Sequence, residues 1–254
     1  MKAFDLSGRV ALVTGGNSGI GLGMARGMAK AGAKIAVVGR DGNKNEAAMR
    51  ELQGLGAEVI AISADLLSED DCRGCVAETV AGLGRLDILV NNAGIAIRKR
   101  PEEYSAQEWH KVIDSNLTSA FLCSHAAYPH MKQAGGGKII NIGSLLAVMS
   151  APFAVAYSAS KAGLVQMSRS MAIAWGADNI QVNTLLPGWI NTNLTQGARR
   201  EVPGLNDKVE GRTAAGRWGE TEDFEAITVL LAGPGSQYIT GTAIPVDGGY
   251  SIVA

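Results

Sequence analysis

The strongest constraint on the fold lies near the start of the chain. There the apolar run Val10-Ala11-Leu12-Val13-Thr14 gives way to Gly15-Gly16-Asn17-Ser18-Gly19-Ile20-Gly21 and then to an amphipathic stretch, Leu22 to Ala31. The pattern predicts strand, tight turn, helix. Glycines let the backbone turn sharply and approach a pyrophosphate closely, while the free N–H groups and positive end of the following helix attract the anion. Gly15, Gly19 and Gly21 are the candidate turn residues, with Asn17, Ser18 and Ile20 beside them in the same loop. The spacing Thr-Gly-x-x-x-Gly-x-Gly differs from the commoner Gly-x-Gly-x-x-Gly fingerprint, and its place after the first strand gives it force.

Strand-like runs then alternate with helical ones. Lys34 to Gly39, Glu58 to Ser63, Leu86 to Asn91, Lys138 to Ile142, Ile180 to Leu186 and Ala243 to Val246 read as strands two to seven. Helices are predicted over Asn45 to Leu55, Ser68 to Leu83, Glu108 to Gln133 and the stretch bearing Tyr157. Such alternation demands right-handed crossovers, which put helices on both faces of one parallel sheet. The expected fold is therefore α/β, a doubly wound parallel sheet of about seven strands. Trp189 to Arg217 breaks the rhythm, with Gly197, Pro203-Gly204, Gly211 and no sustained helical period. It follows strand six, whose end should face the ligand, and is expected to be a mobile cover over the substrate.

Length and charge bound the rest. A chain of 254 residues with 46% hydrophobic content can bury a sizeable core, and residues 1–254 are expected to form one domain. A net charge of −1 offers no basic footprint for nucleic acid. The N-terminal residues lack the apolar centre of a signal peptide and no long apolar span follows, so neither nucleic acid nor membrane is an expected partner and a cytoplasmic location is the expectation. Cys72, Cys75 and Cys123 read as structural, and His110, His125 and His130 make no metal-ligand pattern, so no metal site is expected.

The chemistry is carried by Tyr157-Ser158-Ala159-Ser160-Lys161. Residues four apart share one helix face, which sets the ammonium of Lys161 beside the phenol of Tyr157. A phenol ionises near about 10, and an adjacent positive charge should lower that value toward the range useful for proton exchange. The helix follows a strand ending at Gly143-Ser144. The hydroxyl of Ser144 is a candidate for orienting the same oxygen that Tyr157 protonates.

Taken together, Thr14-Gly15-x-x-x-Gly19-x-Gly21, Asn91-Asn92-Ala93-Gly94, Asn116, Ser144, Tyr157-x-x-x-Lys161 and Pro187-Gly188-x-x-x-Thr192 resemble the short-chain dehydrogenase/reductase family across nearly the whole chain. The resemblance implies a Rossmann-type domain, a nicotinamide cofactor, hydride exchange between a secondary alcohol and a ketone, and a homotetramer. It implies that Asn116, Ser144, Tyr157 and Lys161 form the catalytic set. Lys161 would also hold the nicotinamide ribose, and Asn116 a water linking Lys161 to solvent. By the same resemblance, Asp65, next to Leu66, would accept a hydrogen bond from the adenine amino group. Asn91, Ala93 and Gly94 would border the ribose and pyrophosphate path, and Ile190 and Thr192, after Pro187-Gly188, would meet the carboxamide.

Cofactor preference turns on Gly39-Arg40-Asp41. An acid at the end of strand two would bind the adenosine ribose hydroxyls; Gly39 supplies none and Arg40 supplies positive charge, which favours NADP(H). Asp41 could pair with Arg40 or turn toward the ribose, which keeps NAD(H) open. Segments around Asn191 to Gln196 and Ala215 to Gly219 are similar to those of deoxygluconate-type sugar-acid dehydrogenases and of 3-oxoacyl reductases. Arg98-Lys99-Arg100 could supply a cation for a carboxylate, or form a solvated charge run. Trp189 either walls the pocket or packs under the cover. The small-molecule substrate is thus expected to be a polar carbonyl or alcohol, a sugar acid or keto acid before a 3-oxoacyl thioester. A noncatalytic dinucleotide-binding sensor or scaffold is the reading of another class.

Overall fold

The computed structural model describes residues 1–253. Seven strands form one parallel sheet: β1 (Val10–Thr14), β2 (Lys34–Gly39), β3 (Val59–Ser63), β4 (Ile88–Asn91), β5 (Gly137–Ile142), β6 (Ile180–Pro187) and β7 (Ala243–Val246), in the order β3-β2-β1-β4-β5-β6-β7. Helices α1 (Gly19–Lys30) and α2 (Gly42–Gly54) follow β1 and β2, and α3 (Glu69–Leu83) follows β3. Next come α4 (Ala106–Ile113), α5 (Ser119–Gln133), α6 (Val155–Trp175), α7 (Asn193–Glu201), α8 (Leu205–Arg212) and α9 (Glu225–Ala232).

Alternation along β1 shows why both faces of the sheet are covered. Ala11 and Val13 pack with residues of α1, α2 and α9, while Val10 and Leu12 pack with residues of α3, α5 and α6. The sequence reads as a near-continuous apolar run because neither face meets water. The chain runs outward from β1 to β3 and then returns to pair β4 on the other side of β1. That reversal opens a crevice at the carboxyl ends of β1 and β4.

The expected strands coincide with the observed ones to within two residues. Two helical segments differ from expectation. The stretch expected as one helix over 108–133 is two helices joined by a π-helical turn at Asp114–Thr118. The stretch expected to be irregular contains α7 and α8, so it is largely helical. These helices are nine and eight residues long and are separated by Pro203-Gly204, with Gly204 at φ 69°, so neither repeats its apolar pattern long enough to show a period. Ala198, Leu205, Val209 and Trp218 form their own small core, with Trp189 and Val202 packed against it. No described helix is long and apolar enough to cross a membrane.

Candidate active site

The wall of the crevice beneath β1 and β2 is shaped by missing side chains. Gly15 and Gly19 sit at φ 60° and 54°, in the left-handed region that favours glycine. A Cβ on Gly21 would overlap Asn92 Nδ2 and lie 2.5 Å from the Gly15 carbonyl oxygen. Asn92 is the brace of this turn: its Nδ2 donates to the carbonyls of Thr14 (3.0 Å) and Gly15 (3.1 Å). The backbone N–H groups of Asn92 and Ala93 donate to Thr14 Oγ1 at 2.9 and 3.1 Å. The first turn of α1 carries no acid, which leaves its positive end available to an anion.

A cavity of about 580 Å³ opens here, and Gly15, Asn17, Ser18, Arg40, Asp65 and Leu66 are among its lining. Ala93, Gly94, Ile95 and Ser115 also line it, and Gly94 stands beside Asn116 and Lys161. The side chain of Asn91 does not belong to it. Asn91 is buried and its Nδ2 donates to Asn141 Oδ1 (2.8 Å) and Ser124 Oγ (2.9 Å) on the inner face of the sheet. As the last residue of β4, Asn91 turns its side chain into the sheet and leaves only its backbone at the crevice, while the Asn92 side chain turns toward the glycine loop. Asp65 stands exposed at the rim, its Oδ1 accepting from Leu67 N–H at 3.3 Å.

Further lining residues, among them Lys44, Leu67 and Ser115, escaped the sequence reading. Lys44 was legible. Asp41 caps α2 by accepting the Lys44 N–H at 3.2 Å, so the helix starts at Gly42 and places Lys44 in its first turn. An expected start at Asn45 had left Lys44 in a loop.

The opposite wall holds the residues expected to form the catalytic set. Ser144, following β5, accepts from Leu146 N–H at 3.1 Å, and its hydroxyl is near enough to the Tyr157 phenol to act on that group's ionisation. Lys161, one turn along α6, is buried and donates from Nζ to the Ile142 carbonyl at 2.7 Å, with Nζ 5.6 Å from the centre of the Tyr157 ring. The π-helical turn places Asn116 beside them. Its Oδ1 accepts from Ile95 N–H (2.8 Å), and its Nδ2 donates to the Ile95 carbonyl (2.9 Å) and to Ser160 Oγ (3.0 Å). Ser160 Oγ in turn donates to the Tyr157 carbonyl at 2.7 Å. Asn116 thus ties the strand-four loop to the helix that carries the phenol.

The electrostatics correct one expectation. Burial raises the Tyr157 pKa above the usual phenol value, and the hydrogen bond from Ser144 and the charge of Arg98 offset this only in part. Lys161 does not reverse the direction, because burial also pushes its own pKa down, to about 8.

Beneath this wall lies a polar row that the sequence reading missed. Pairing sets Thr14 beside Asn91, Asn91 beside Asn141, and Asn141 beside Thr184. Asn141 Nδ2 and Thr184 Oγ1 both donate to Ser168 Oγ of α6, at 2.7 and 2.9 Å. The signal was Asn141 itself, a polar interruption in an apolar strand.

The last side of the site comes from β6. Gly188 is backed by the chain after β7, where a Cβ would come within 2.8 Å of Asp247 Cα. Ile190 is buried in the main core, and Thr192 caps α7 next to Gly19. Trp189 packs edge-to-face on Trp218 at 5.6 Å against the small core of α7 and α8, and it also lines a cavity with Ile190, Pro245 and Val246. Of the basic run, Lys99 pairs with Glu108, Arg100 pairs with Glu102, and Arg98 Nη2 donates to the Leu194 carbonyl of α7 at 3.3 Å among its contacts. Only Arg98 among the three is felt at the Tyr157 phenol.

Comparison with known proteins places this geometry. The family described as enoyl-(acyl carrier protein) reductase matches residues 15–251. A 2-dehydro-3-deoxy-D-gluconate 5-dehydrogenase of Escherichia coli (strain K12) is 39% identical over 251 residues, covering 98% of both chains. The crystal structure of a putative gluconate dehydrogenase from Agrobacterium tumefaciens superposes with a TM-score of 0.96 at 38% identity over the whole of both chains. A gluconate 5-dehydrogenase from Burkholderia cenocepacia J2315, solved in complex with NADP and tartrate, superposes with a TM-score of 0.94 at 34% identity, covering 100% of this chain and 99% of that one.

Proposed function

The chain belongs to the short-chain dehydrogenase/reductase family and is an NAD(P)-dependent oxidoreductase acting on CH–OH groups; from that premise we propose that it interconverts a sugar acid with its keto form, using NADP(H) in preference to NAD(H). The observation that carries the reading is the placing of buried Lys161, with Tyr157 and Ser144 beside it, next to Gly94 of a crevice lined with glycines and Arg40. The relatives named above act on gluconate-type acids, and one holds NADP.

The residues fit such a nucleotide. The turn at Gly15, Gly19 and Gly21 and the start of α1 would take the pyrophosphate, Arg40 a phosphate on the adenosine ribose, and Asp65 and Leu66 the adenine edge. Lys161 would hold the nicotinamide ribose, with Ala93, Gly94, Pro187, Gly188, Ile190 and Thr192 around the path between. The bound cofactor supplies or accepts hydride at the substrate carbon. In the reducing direction Tyr157 gives its hydroxyl proton to the carbonyl oxygen as that oxygen gains charge, and Ser144 donates a hydrogen bond to the same atom. A phenol kept protonated by burial suits an acid in this direction. Lys161 supplies positive charge beside the phenolate left behind. Asn116 acts by position, holding the Ile95 loop and the Tyr157 turn of α6 in register.

Arg98 is the cation for the substrate carboxylate, and residues 189–217 cover the substrate within a single catalytic domain. Phe121 on α5 and Ile173 on α6 are exposed large apolar side chains, which supports association with further copies of the chain in a homotetramer. Three free buried thiols suit the reducing cytoplasm.

A panel of sugar acids, keto acids, neutral ketones and 3-oxoacyl thioesters, followed by cofactor absorbance with NADPH and NADH in parallel, tests the proposal. Turnover of a sugar or keto acid, fastest with NADPH, is the expected result. Exclusive turnover of thioesters would replace the substrate, and nucleotide binding without turnover of any member would favour a sensor.

A further inference from the structure

Strand β2 ends at Gly39, and the direction in which a side chain would leave that residue is already filled. A Cβ there would overlap Asn17 Nδ2 and lie 2.6 Å from Asn45 Oδ1. These two asparagines are bonded to each other (2.6 Å), and Asn45 Nδ2 is anchored on the carbonyls of Gly39 (2.8 Å) and Ile62 (3.0 Å). The position from which an acid would read two free ribose hydroxyls is therefore closed by packing, and discrimination falls to the charges that follow.

Those charges are Arg40, Asp41 and Lys44, all lining the same cavity. Arg40 is exposed and makes no hydrogen bond or ion pair among the described residues. Asp41 is occupied by its own helix, accepting the Lys44 N–H at 3.2 Å. Lys44 Nζ stands 3.9 Å from Asp41 Oδ2, at the outer limit of an ion pair, with both side chains about half exposed. A pair of that kind contributes little, so nothing holds the Lys44 ammonium away from a stronger anion. Arg40 alone is balanced by Asp41 at the end of β2; Lys44 makes that end of the cavity net positive, while Asp65, after β3, is the remaining acid of the lining.

We propose that Lys44 is a second 2′-phosphate-binding residue, closing on the phosphate from the first turn of α2 while Arg40 meets it from the end of β2. The inference rests on the nucleotide reading above and names a residue of that subsite. A dianion drawn into the cavity takes Lys44 from Asp41, and the cap on α2 stays intact because it uses the backbone N–H rather than the ammonium.

Calorimetric titration with adenosine 2′,5′-bisphosphate and adenosine 5′-monophosphate tests it without turnover. Lys44→Met is expected to weaken the bisphosphate about tenfold, and the monophosphate by less than about twofold, in line with the loss of one charge-assisted hydrogen bond. Lys44→Arg should restore most of the loss. Asp41→Asn, which keeps the capping oxygen and removes the competing charge, should strengthen the bisphosphate roughly threefold and leave the monophosphate unchanged. Bisphosphate affinity unchanged in Lys44→Met, or both ligands weakened alike, would overturn the assignment of Lys44 while leaving the enzyme reading in place. Wild-type protein that takes neither ligand would remove the nucleotide reading and this inference with it.

Discussion

On the nucleotide wall, from Gly15 to Asp41, the chain makes room by omitting side chains; on the catalytic wall, from Asn116 to Lys161, it fills the interior with polar ones. The first wall works through backbone N–H groups and tolerates no Cβ at Gly21 or Gly39. The second works through side chains whose burial raises the phenol of Tyr157 and lowers the ammonium of Lys161. Shape is therefore the sensitive quantity on one side and ionisation on the other. Damage to the first should be read in binding, and damage to the second in turnover or pH dependence.

The sharpest way to break this division is Tyr157→Phe. Removing the proposed proton donor while keeping the ring is expected to lower kcat by about a thousandfold, with nucleotide dissociation constants within about twofold of wild type. Stopped-flow turnover paired with fluorescence titration reads both, and a large loss of nucleotide affinity would mean that the two walls do not act separately.

Next in size is the pH dependence that burial of Lys161 imposes. Its folded pKa of about 8 lies below the unfolded lysine value near 10.4, so between those values the unfolded chain holds more protons and stability rises with pH. Below pH 8 the native state carries the cost of a buried charge. Tyr157, raised above its usual value, acts in the opposite direction above about pH 10, which bounds the window. Lys138, lowered to about 8 by its own burial and then by Arg9, contributes in the same window. The difference between wild type and Lys161→Met isolates the Lys161 share. Urea unfolding of the two proteins at pH 7.5 and pH 10 should show the wild type gaining on the order of 2 kcal/mol more than the variant. Equal gains would show that Lys161 is not held in the desolvated state that its surroundings impose.

Gly21→Ala addresses the other wall. The added Cβ cannot coexist with Asn92 and the Gly15 carbonyl in their present positions, and overpacking of this kind costs roughly 1–3 kcal/mol. Because the displaced groups form the phosphate turn, the loss should appear as a ten- to hundredfold rise in nucleotide Kd, with kcat at saturation nearly retained. A collapse of kcat at saturating cofactor would place the turn in the chemistry rather than in binding.

How much of each wall could be read in advance follows the same division. The glycines of the first loop and the alternation of strands and helices are local patterns, visible because turn chemistry and apolar period act over a few residues. The Tyr157, Lys161 and Ser144 set was visible as a motif, and the direction of the phenol pKa was not, since it depends on burial assembled from β5, α6 and the Arg98 loop. Lys44 was hidden by a helix boundary misplaced by three residues, and α7 and α8 by being too short to display a period. Asn91 and Asn92 show the limit most directly. Adjacent residues in a strand point to opposite faces, and nothing in the dipeptide says which face is which until β4 is placed between β1 and β5.

That last point can be turned into the finest test of the comparison. Asn92→Ala alone removes two hydrogen bonds to the Thr14 and Gly15 carbonyls, with an expected stability loss of about 1–2 kcal/mol and a nucleotide Kd a few-fold higher. In the Gly21→Ala background the same change also deletes the amide that the new Cβ overlaps, so its cost should fall close to zero. The Gly15 carbonyl, 2.5 Å from that Cβ, stays in place, and the double variant should therefore recover only part of the binding lost in Gly21→Ala. A double-mutant cycle on unfolding free energy is expected to give a coupling of about 1 kcal/mol, as befits two residues in direct contact. Strict additivity would mean that the turn relaxes away from Asn92 without resistance, and the nucleotide wall would then owe its shape to the backbone of Gly15 and Gly19 alone.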